Sequence, residues 1–268
     1  MSAVRSLAGL IAFYFLIPII FCEAEDIIML FYYIRHGDPI YDPDMLTEKG
    51  KLQAEALSRR LVSSGISEIY ASTSNRAVQT AEPLAEKLGL PITKLDWCNE
   101  YHAWKDFSFK DENGKTGWLM QDERYLKLFA SDEIVNLGYR WYEHPAFAGT
   151  HCADGVARIA ENSDILFKSL GYEHDLHTHS YITNENAAED KRVALFAHGG
   201  FGRAFLSYIL DIPYPMFMKF EYSHTGMTVI RFKARNDGIV LPKVLQYSGD
   251  SHLYKEGLSL AYNNEITI

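Results

Sequence analysis

Two histidines in this sequence each follow a short apolar run and stand directly before a glycine. Residues 30–34 are apolar and run into Arg35 and His36, and residues 193–197 run into His198. Apolar runs of this length predict buried strands of a parallel sheet. Ligands of open α/β sheets bind just beyond the carboxyl ends of such strands. We therefore expect both histidines at one edge of one sheet.

A second arginine, Arg76, follows another predicted strand. Residues 68–71 predict that strand, and residues 77–88 carry apolar side chains at helical spacing, with Gly89 after the last of them. Arg76 therefore falls in the first turn of a helix that begins where the strand ends. This places it at the same edge of the sheet as His36.

Four groups that carry or can carry positive charge would thus converge: Arg35, His36, Arg76 and His198. Burying such groups without partners costs several kcal/mol, so the arrangement predicts an anionic ligand. A phosphoryl dianion fits best, because planar guanidinium groups bind its oxygens in pairs. Nearby positive charge lowers the pKa of a histidine, which would leave one imidazole neutral and able to attack phosphorus.

These residues, taken together, resemble the histidine phosphatase superfamily, which has the phosphoglycerate-mutase-like fold. The resemblance lies in Arg35-His36-Gly37, in Ser-Asn-Arg-Ala-Val-Gln-Thr-Ala at residues 74–81, in Glu100, and in Ala-His-Gly-Gly at residues 197–200. It extends from Met29 to about Phe232. It implies an α/β protein, specifically a three-layer α/β/α sandwich with a mostly parallel central sheet.

The resemblance also implies a role for each site residue. His36 would become a transient phosphohistidine, while Arg35, Arg76 and His198 would hold the phosphoryl oxygens. Glu100 would donate a proton to the leaving oxygen and later accept one from the attacking water. The arginines would balance the charge in place of a metal ion, so no metal or other cofactor is expected.

Three other acids could replace Glu100 in that role: Asp38, Asp96 and Glu143. The acid phosphatase branch of the superfamily has its acid directly after the second histidine. Here Gly199 and Gly200 occupy those positions, so that branch fits poorly.

The expected function is hydrolysis of a phosphomonoester by a metal-independent phosphatase whose partner is a small phosphorylated substrate. One alternative is a phosphoglycerate-type mutase, but mutases of this family carry Trp-Asn shortly after the first histidine. Residues 37–42 read Gly-Asp-Pro-Ile-Tyr-Asp instead, which favours hydrolysis. The other alternative is a non-catalytic module that binds phosphorylated ligands.

Composition and the N-terminal residues bound the remaining possibilities. A chain of 268 residues, 47% hydrophobic, is long enough for one large domain, and its formal charge of -9 argues against nucleic-acid binding. Residues 1–28 contain an apolar run, 7–21, which is either a signal-like or anchoring segment or part of an overextended gene start before Met29. The protein would be cytoplasmic in the second case, and exported or membrane-anchored in the first. A membrane is a partner only if this run is retained, and the sequence carries no signal for oligomeric state.

The rest of the chain predicts the elements that position the site, within a domain at residues 29–268. Further helices are expected from about Leu46 to Ser63 and over 154–170 and 201–210, and further strands over 92–95, 226–232 and 239–246. Residues 104–150, helical near 124–130, are too long for a simple connection and are expected to form an inserted cap.

Neither the stretch at residues 172–191 nor the cysteines give a strong signal for an element or a site. Residues 172–191 are polar and are expected at the surface, and their loosely spaced His174, His177 and His179 are not expected to bind metal. Three cysteines do not predict a disulfide framework, although a bridge between Cys98 and Cys152 is left open.

Overall fold

A computed structural model describes residues 27–262 and 266–267 of the chain. The predicted signal-like or overextended segment therefore lies outside the described residues, apart from its last two positions. Within the described ranges, no helix combines the length and the apolar character that a membrane crossing requires.

Strands and helices alternate along the chain. The strands are β1 (Ile28–Arg35), β2 (Pro39–Ile40), β3 (Met45–Leu46), β4 (Glu68–Ser72), β5 (Ile92–Leu95), β6 (Ser108–Lys110), β7 (Thr116–Trp118), β8 (Tyr172–Asp175), β9 (Ser180–Thr183), β10 (Asp190–Ala197), β11 (Met227–Lys233), β12 (Ile239–Val240), β13 (Lys243–Gly249), β14 (Ala261–Tyr262) and β15 (Ile266–Thr267). The α-helices are α1 (Glu48–Leu61), α2 (Asn75–Leu88), α3 (Glu100–Asp106), α4 (Glu123–Phe129), α5 (Asp132–Leu137), α6 (Cys152–Leu170), α7 (Gly199–Ile209), α8 (Tyr214–Phe217) and α9 (Ser251–Lys255). Short 3₁₀ helices lie at Asp96–Cys98, Leu119–Gln121, Gly138–Glu143 and Pro145–Phe147.

The central sheet has the strand order β13-β11-β1-β10-β4-β5. Strands β1, β10, β4 and β5 are parallel, whereas β11 and β13 are antiparallel additions at one side. The prediction of a mostly parallel sheet is confirmed. The carboxyl ends of β1, β10 and β4, which precede the three sequence motifs, lie side by side.

Helices cover both faces of the sheet, because side chains of β1 alternate between two apolar cores. Phe31 and Tyr33 pack in the core that contains Phe167 of α6 and Phe205 of α7. On the other face, β1 packs against apolar residues of α1 and α2, and the set there consists of Tyr32, Ile34, Leu57, Leu61, Val78 and Leu84. The predicted three-layer arrangement is therefore confirmed.

Local sequence signals explain where the helices of the second core begin and end. Thr47 accepts a hydrogen bond from the Gly50 amide and caps α1. Helix α2 ends at Gly89, whose φ of 65° lies in the left-handed region that glycine tolerates. The predictions for β4, α2 and β5 are confirmed, and Arg76 lies in the first turn of α2.

The segment at residues 104–150 is more regular than its sequence indicates. The expected helical piece is α4, but α5 and the β6–β7 hairpin were not predicted. Aromatic rings pack within the segment and against the rest of the domain. Phe129 stacks on Phe147 inside the segment, and Trp141 stacks on Tyr214 of α8. The aromatic content of this segment thus extends the core that covers one face of the central sheet.

Two expectations about the second half of the chain are wrong. Residues 172–191 are not simply a polar surface excursion, because β8 and β9 form a hairpin that buries Tyr172 and Tyr181. The single strand expected over 239–246 is divided at Pro242: β12 pairs with β9, whereas β13 joins the central sheet. Helix α9, for which the sequence shows no strong pattern, follows β13 and buries His252 and Leu253.

The bridge left open between two cysteines does not form. Cys98 and Cys152 are both buried and both free. Burial raises the pKa of the Cys98 thiol well above its usual value and that of Cys152 to about 12.

Candidate active site

The two motif histidines meet where β1 and β10 end. Arg35 and Ala197 are register partners in these parallel strands, and the His36 amide donates to the Ala197 carbonyl over 2.9 Å. The imidazole rings of His36 and His198 lie 5.2 Å apart, centroid to centroid. The structure thus brings both histidines together at one edge of the sheet, as the sequence predicts.

His36 is held in the form that a nucleophile needs. Its Nδ1 lies 2.7 Å from the Gly37 carbonyl oxygen, which can only accept a hydrogen bond. Nδ1 therefore carries the proton, and Nε2 carries the free lone pair. Burial lowers the pKa of His36 well below its usual value, and the nearby His198, Arg35 and Arg76 lower it further. The ring is neutral at pH 7.

His198 is fully buried behind His36. Its Nε2 lies 2.8 Å from the Ser72 hydroxyl at the end of β4, while its Nδ1 has no hydrogen-bond partner within the protein. Burial, followed by Arg76 and Arg35, lowers the pKa of His198 well below the usual range. A buried nitrogen without a partner needs an acceptor or donor from outside the protein.

A third imidazole, His224, lies beside His36 at 5.7 Å between ring centroids. Burial, with a smaller effect of Arg35, lowers its pKa to about 3. Its Nε2 is also buried without a partner within the protein. Two further histidines contact acids elsewhere, His102 with Asp96 and His144 with Glu133.

The two motif arginines are anchored in different ways. Arg35 donates to the Tyr222 carbonyl over 2.5 Å, and burial lowers its pKa. Arg76 donates from Nη1 to Asp44 over 2.6 Å, whereas its buried Nε has no partner within the protein. The expectation that the cations lack protein partners is thus wrong for Arg76, because Asp44 neutralises part of its charge.

Glu100 lies across the cavity from these cations, as the first residue of α3. Its two carboxylate oxygens accept hydrogen bonds from the Gly200 and Phe201 amides of α7, each over 2.8 Å. Burial raises the pKa of Glu100, and the two amides and the arginines oppose that rise. The carboxyl group therefore protonates more readily than a solvated one.

The three alternative acids lie elsewhere. Asp38 accepts from the Thr47 hydroxyl, Asp96 from the Thr73 hydroxyl, and exposed Glu143 pairs with Arg140. None of the three lines the cavity that contains His36.

The cavity itself measures about 680 Å³. Arg35, His36, Arg76 and Glu100 line its floor. The segment at 104–150 supplies a further part of its wall through Trp118, Met120, Gln121 and Leu126. A volume of this size is typical of a site for a complete small molecule.

A sequence profile of the histidine phosphatase superfamily (branch 1) matches residues 31–128 and 180–244. The chain belongs to the histidine phosphatase superfamily. The matched ranges contain all five residues for which the sequence predicts a role in the site. No curated protein sequence matches the chain.

Several solved structures share the fold of this chain. A mycobacterial glucosyl-3-phosphoglycerate phosphatase is 20% identical with a TM-score of 0.53, over 83% of this chain and 99% of that one. A phosphoserine phosphatase from Entamoeba histolytica, in complex with 3-phosphoglyceric acid, is 16% identical with a TM-score of 0.52, over 84% and 99%. A protein titled mycobacterial hydrolase 1 is 18% identical with a TM-score of 0.53, over 82% and 98%. These likenesses show a shared fold.

Sequence reasoning missed an ion pair on the cavity wall of this histidine phosphatase. Arg203 donates from Nη2 to Glu221 over 2.6 Å and from Nη1 towards the Met120 sulfur over 3.3 Å. Both charged residues line the cavity. Arg203 follows His198 by five residues on α7, so its position on the helix was a signal that could have found it.

The loosely spaced histidines form no metal site. Among residues 27–262 and 266–267, no group of three or more His, Cys, Asp or Glu side chains could hold a metal ion. His174 instead stacks on Tyr181 with its ring centroid 4.3 Å away, and its Nε2 lies 2.9 Å from Asp211. His179 contacts the same carboxylate over 3.1 Å.

Proposed function

We propose that this protein is a phosphatase that hydrolyses a phosphomonoester through a phosphohistidine formed on His36. The observation that carries the proposal is the fixed tautomer of His36. The Gly37 carbonyl holds the proton on Nδ1, so the lone pair of Nε2 is available on the wall of a cavity that Arg35 and Arg76 also line. A neutral imidazole between two guanidinium groups is suited to attack a phosphoryl dianion.

The reaction has two steps. In the first, Nε2 of His36 attacks phosphorus, the bond to the ester oxygen breaks, and Glu100 gives its proton to that oxygen so that a neutral alcohol leaves. In the second, Glu100, now a carboxylate, takes a proton from water as the water oxygen attacks phosphorus. The P–N bond breaks, which releases inorganic phosphate, and His36 and Glu100 return to their starting states.

Arg35, Arg76 and His198 would stabilise the three non-bridging oxygens during both steps. The buried Nε of Arg76 and the buried Nδ1 of His198 have no partner in the protein, which supports their use by a ligand. Hydrogen-bond donors that are already in place around the charge that develops in the transition state make the largest single contribution to the rate enhancement of many enzymes. We infer that they replace a metal ion in this role.

The substrate would be a small phosphorylated molecule with a leaving group larger than the phosphoryl group. Trp118 and Leu126 present apolar surface to the cavity, while Arg203 and Glu221 add a charged pair. The solved relatives are titled as phosphatases of phosphoserine and of glucosyl-3-phosphoglycerate, and both compounds are phosphomonoesters. We propose that residues 104–150 act as a cap that selects the leaving group. A substrate preference unchanged by replacing this segment would contradict that role.

The test is phosphate release by the wild type beside His36→Ala, across a panel of phosphomonoesters. We expect turnover by the wild type, loss of at least roughly a thousandfold in the variant, and acid-labile phosphate on His36 in mass spectra of quenched reactions. Interconversion of 2- and 3-phosphoglycerate would support the mutase alternative. Absence of turnover across the panel would support a binding module.

A chelator tests the charge-balancing role of the arginines. We expect activity to survive extensive dialysis against EDTA. Activity that disappears in EDTA and returns with a divalent ion would contradict the metal-independent mechanism.

A further inference from the structure

We propose that Trp118, which reaches the site from the β6–β7 hairpin, is a positioning residue for Glu100 and shields its carboxyl group from water. This inference rests on the proposed function, because it assigns to the hairpin a part in the proton transfer. It makes the segment at residues 104–150 a contributor to the chemistry as well as to the shape of the cavity.

The geometry around Gly200 carries the proposal. A Cβ atom placed on Gly200 would lie 2.8 Å from Oε1 of Glu100, 2.8 Å from Cη2 of Trp118 and 3.2 Å from Cε of Met120. The three side chains therefore converge on one point above the first turn of α7. The indole edge and the thioether methyl group thus lie beside the same carboxylate oxygen that the Gly200 amide binds.

Two contacts hold the covering side chains in place. The ring of Trp118 meets that of Trp104, the fifth residue of α3, edge to face with centroids 4.9 Å apart. Because α3 begins at Glu100, the residue that anchors the indole and the residue that it covers belong to one short helix. Met120 lies against Arg203 of α7 through its sulfur.

The charges around Glu100 explain why such a cover matters. Two backbone amides bind its oxygens, and the nearby Arg76 and Arg35 also favour the carboxylate form. An acid that must give a proton to a leaving group needs an opposing influence. Exclusion of water is that influence, because a carboxylate loses more solvation than a carboxylic acid when apolar groups cover it.

The experiment compares two esters that differ in their need for an acid. The leaving group of p-nitrophenyl phosphate departs readily as the anion, whereas the alkoxide of glycerol 2-phosphate needs a proton. For Trp118→Ala we expect kcat/KM to fall by roughly tenfold with the alkyl ester and by less than about twofold with the aryl ester. The alkaline limb of the alkyl-ester profile should move to lower pH, because Glu100 ionises earlier once water reaches it.

Matched variants separate this role from general damage to the cavity. Trp118→Phe keeps an apolar ring and should restore most of the alkyl-ester activity. Leu126→Ala removes another part of the same cavity wall, and kcat/KM should fall by similar factors for the two esters. Met120→Ala removes the second covering group and repeats the comparison should Trp118→Ala melt early.

The outcomes also distinguish this inference from the proposed function. Equal losses for both esters in Trp118→Ala, with an unmoved pH profile, would overturn the positioning role while His36-dependent hydrolysis of p-nitrophenyl phosphate still stands. Hydrolysis of neither ester by the wild type would overturn both. A selective loss of alkyl-ester activity in Trp118→Ala, with that activity restored in Trp118→Phe, would establish the role.

Discussion

His36 and His198 stand at matching positions of adjacent parallel strands, with ring centroids 5.2 Å apart. The strand register fixes this relationship, because Arg35 pairs with Ala197 and the next residue of each strand is a histidine. The hydrogen bond from the His36 amide to Ala197 continues this backbone pairing by one residue and so places both side chains at the same edge. The sheet thus positions two imidazoles for one ligand before any ligand arrives.

The protonation state of His36 gives the first prediction. Burial and neighbouring cations lower its pKa well below 6.5, so the ring should stay neutral throughout the physiological range. Imidazole carbon resonances in NMR spectra, with His36 assigned by comparison with His36→Asn, should show no titration of this ring between pH 6 and pH 8. A titration midpoint at or above 6.5 would contradict the picture of a nucleophile that is already deprotonated.

The second prediction concerns Arg76 and its anchor Asp44. Arg76→Ala should lower kcat/KM roughly a hundredfold, because a donor to the phosphoryl oxygens is lost. Arg76→Lys should restore little, since an ammonium group cannot replace a planar fork held by Asp44.

Asp44→Asn tests the anchoring alone. The amide keeps an acceptor for the Ser74 hydroxyl and the Asn75 amide, both 2.7 Å away, so the start of α2 should survive. We expect roughly a tenfold rise in KM with a smaller change in kcat, because Asp44 orients Arg76 without touching substrate. A fall in kcat with no change in KM would contradict this role for Asp44.

The sequence predicts which residues meet at this edge of the sheet, because strand termini determine their positions. His36, His198 and Arg76 each follow an apolar run, and parallel strands bring such positions together whatever the rest of the chain does. Asp44 could not be found this way. It lies 32 residues before Arg76, in the turn between β2 and β3, and only the folded backbone brings the two together.

Trp118 and Tyr172 show a second limit of pattern reading. Trp118 belongs to a three-residue strand in an aromatic segment, where short alternation gives little periodic signal. Tyr172 stands at the start of a polar stretch in which it and Tyr181 are nevertheless buried in the hairpin, whereas Leu176 and Ile182 are exposed. Composition averaged over such a stretch indicates a solvated loop, whereas single buried side chains decide its structure.

Gly200 gives the third prediction. Gly200→Ala should lower kcat for an alkyl phosphate by roughly tenfold or more, because the new methyl group would displace the carboxyl of Glu100 and the indole of Trp118. Alanine favours the helix by about 1 kcal/mol over glycine, which offsets part of the clash in the free energy of unfolding. Gly149→Ala is the control, since no atom lies within 4 Å of the added carbon there. Equal kinetics for the two variants would show that the contacts above Gly200 are unimportant for catalysis.

The fourth prediction concerns stability and pH, through His174. Burial lowers the pKa of this ring, but the nearby carboxylates of Asp164, at 3.6 Å, and Asp211, which is hydrogen-bonded at 2.9 Å, outweigh burial and raise the pKa to about 9. Because the folded value lies above that of the unfolded chain, protonated His174 stabilises the fold fully below about pH 6.5, and this contribution is lost as the pH rises through 9. A shift of this size corresponds to roughly 3 kcal/mol.

Urea unfolding of the wild type and His174→Phe checks this pH dependence. Phenylalanine keeps the stacking on Tyr181 but leaves Asp211 without the ion pair at 2.9 Å. The variant should be less stable by roughly 2–3 kcal/mol at pH 6. The difference should shrink towards zero near pH 10, because His174 is then neutral in both states of the wild type. His177→Phe, at an exposed position of the β8–β9 hairpin, should match the wild type at both pH values. If the free energy of unfolding of His174→Phe stays below that of the wild type by a constant amount from pH 6 to pH 10, His174 contributes packing and not the charge held between two carboxylates.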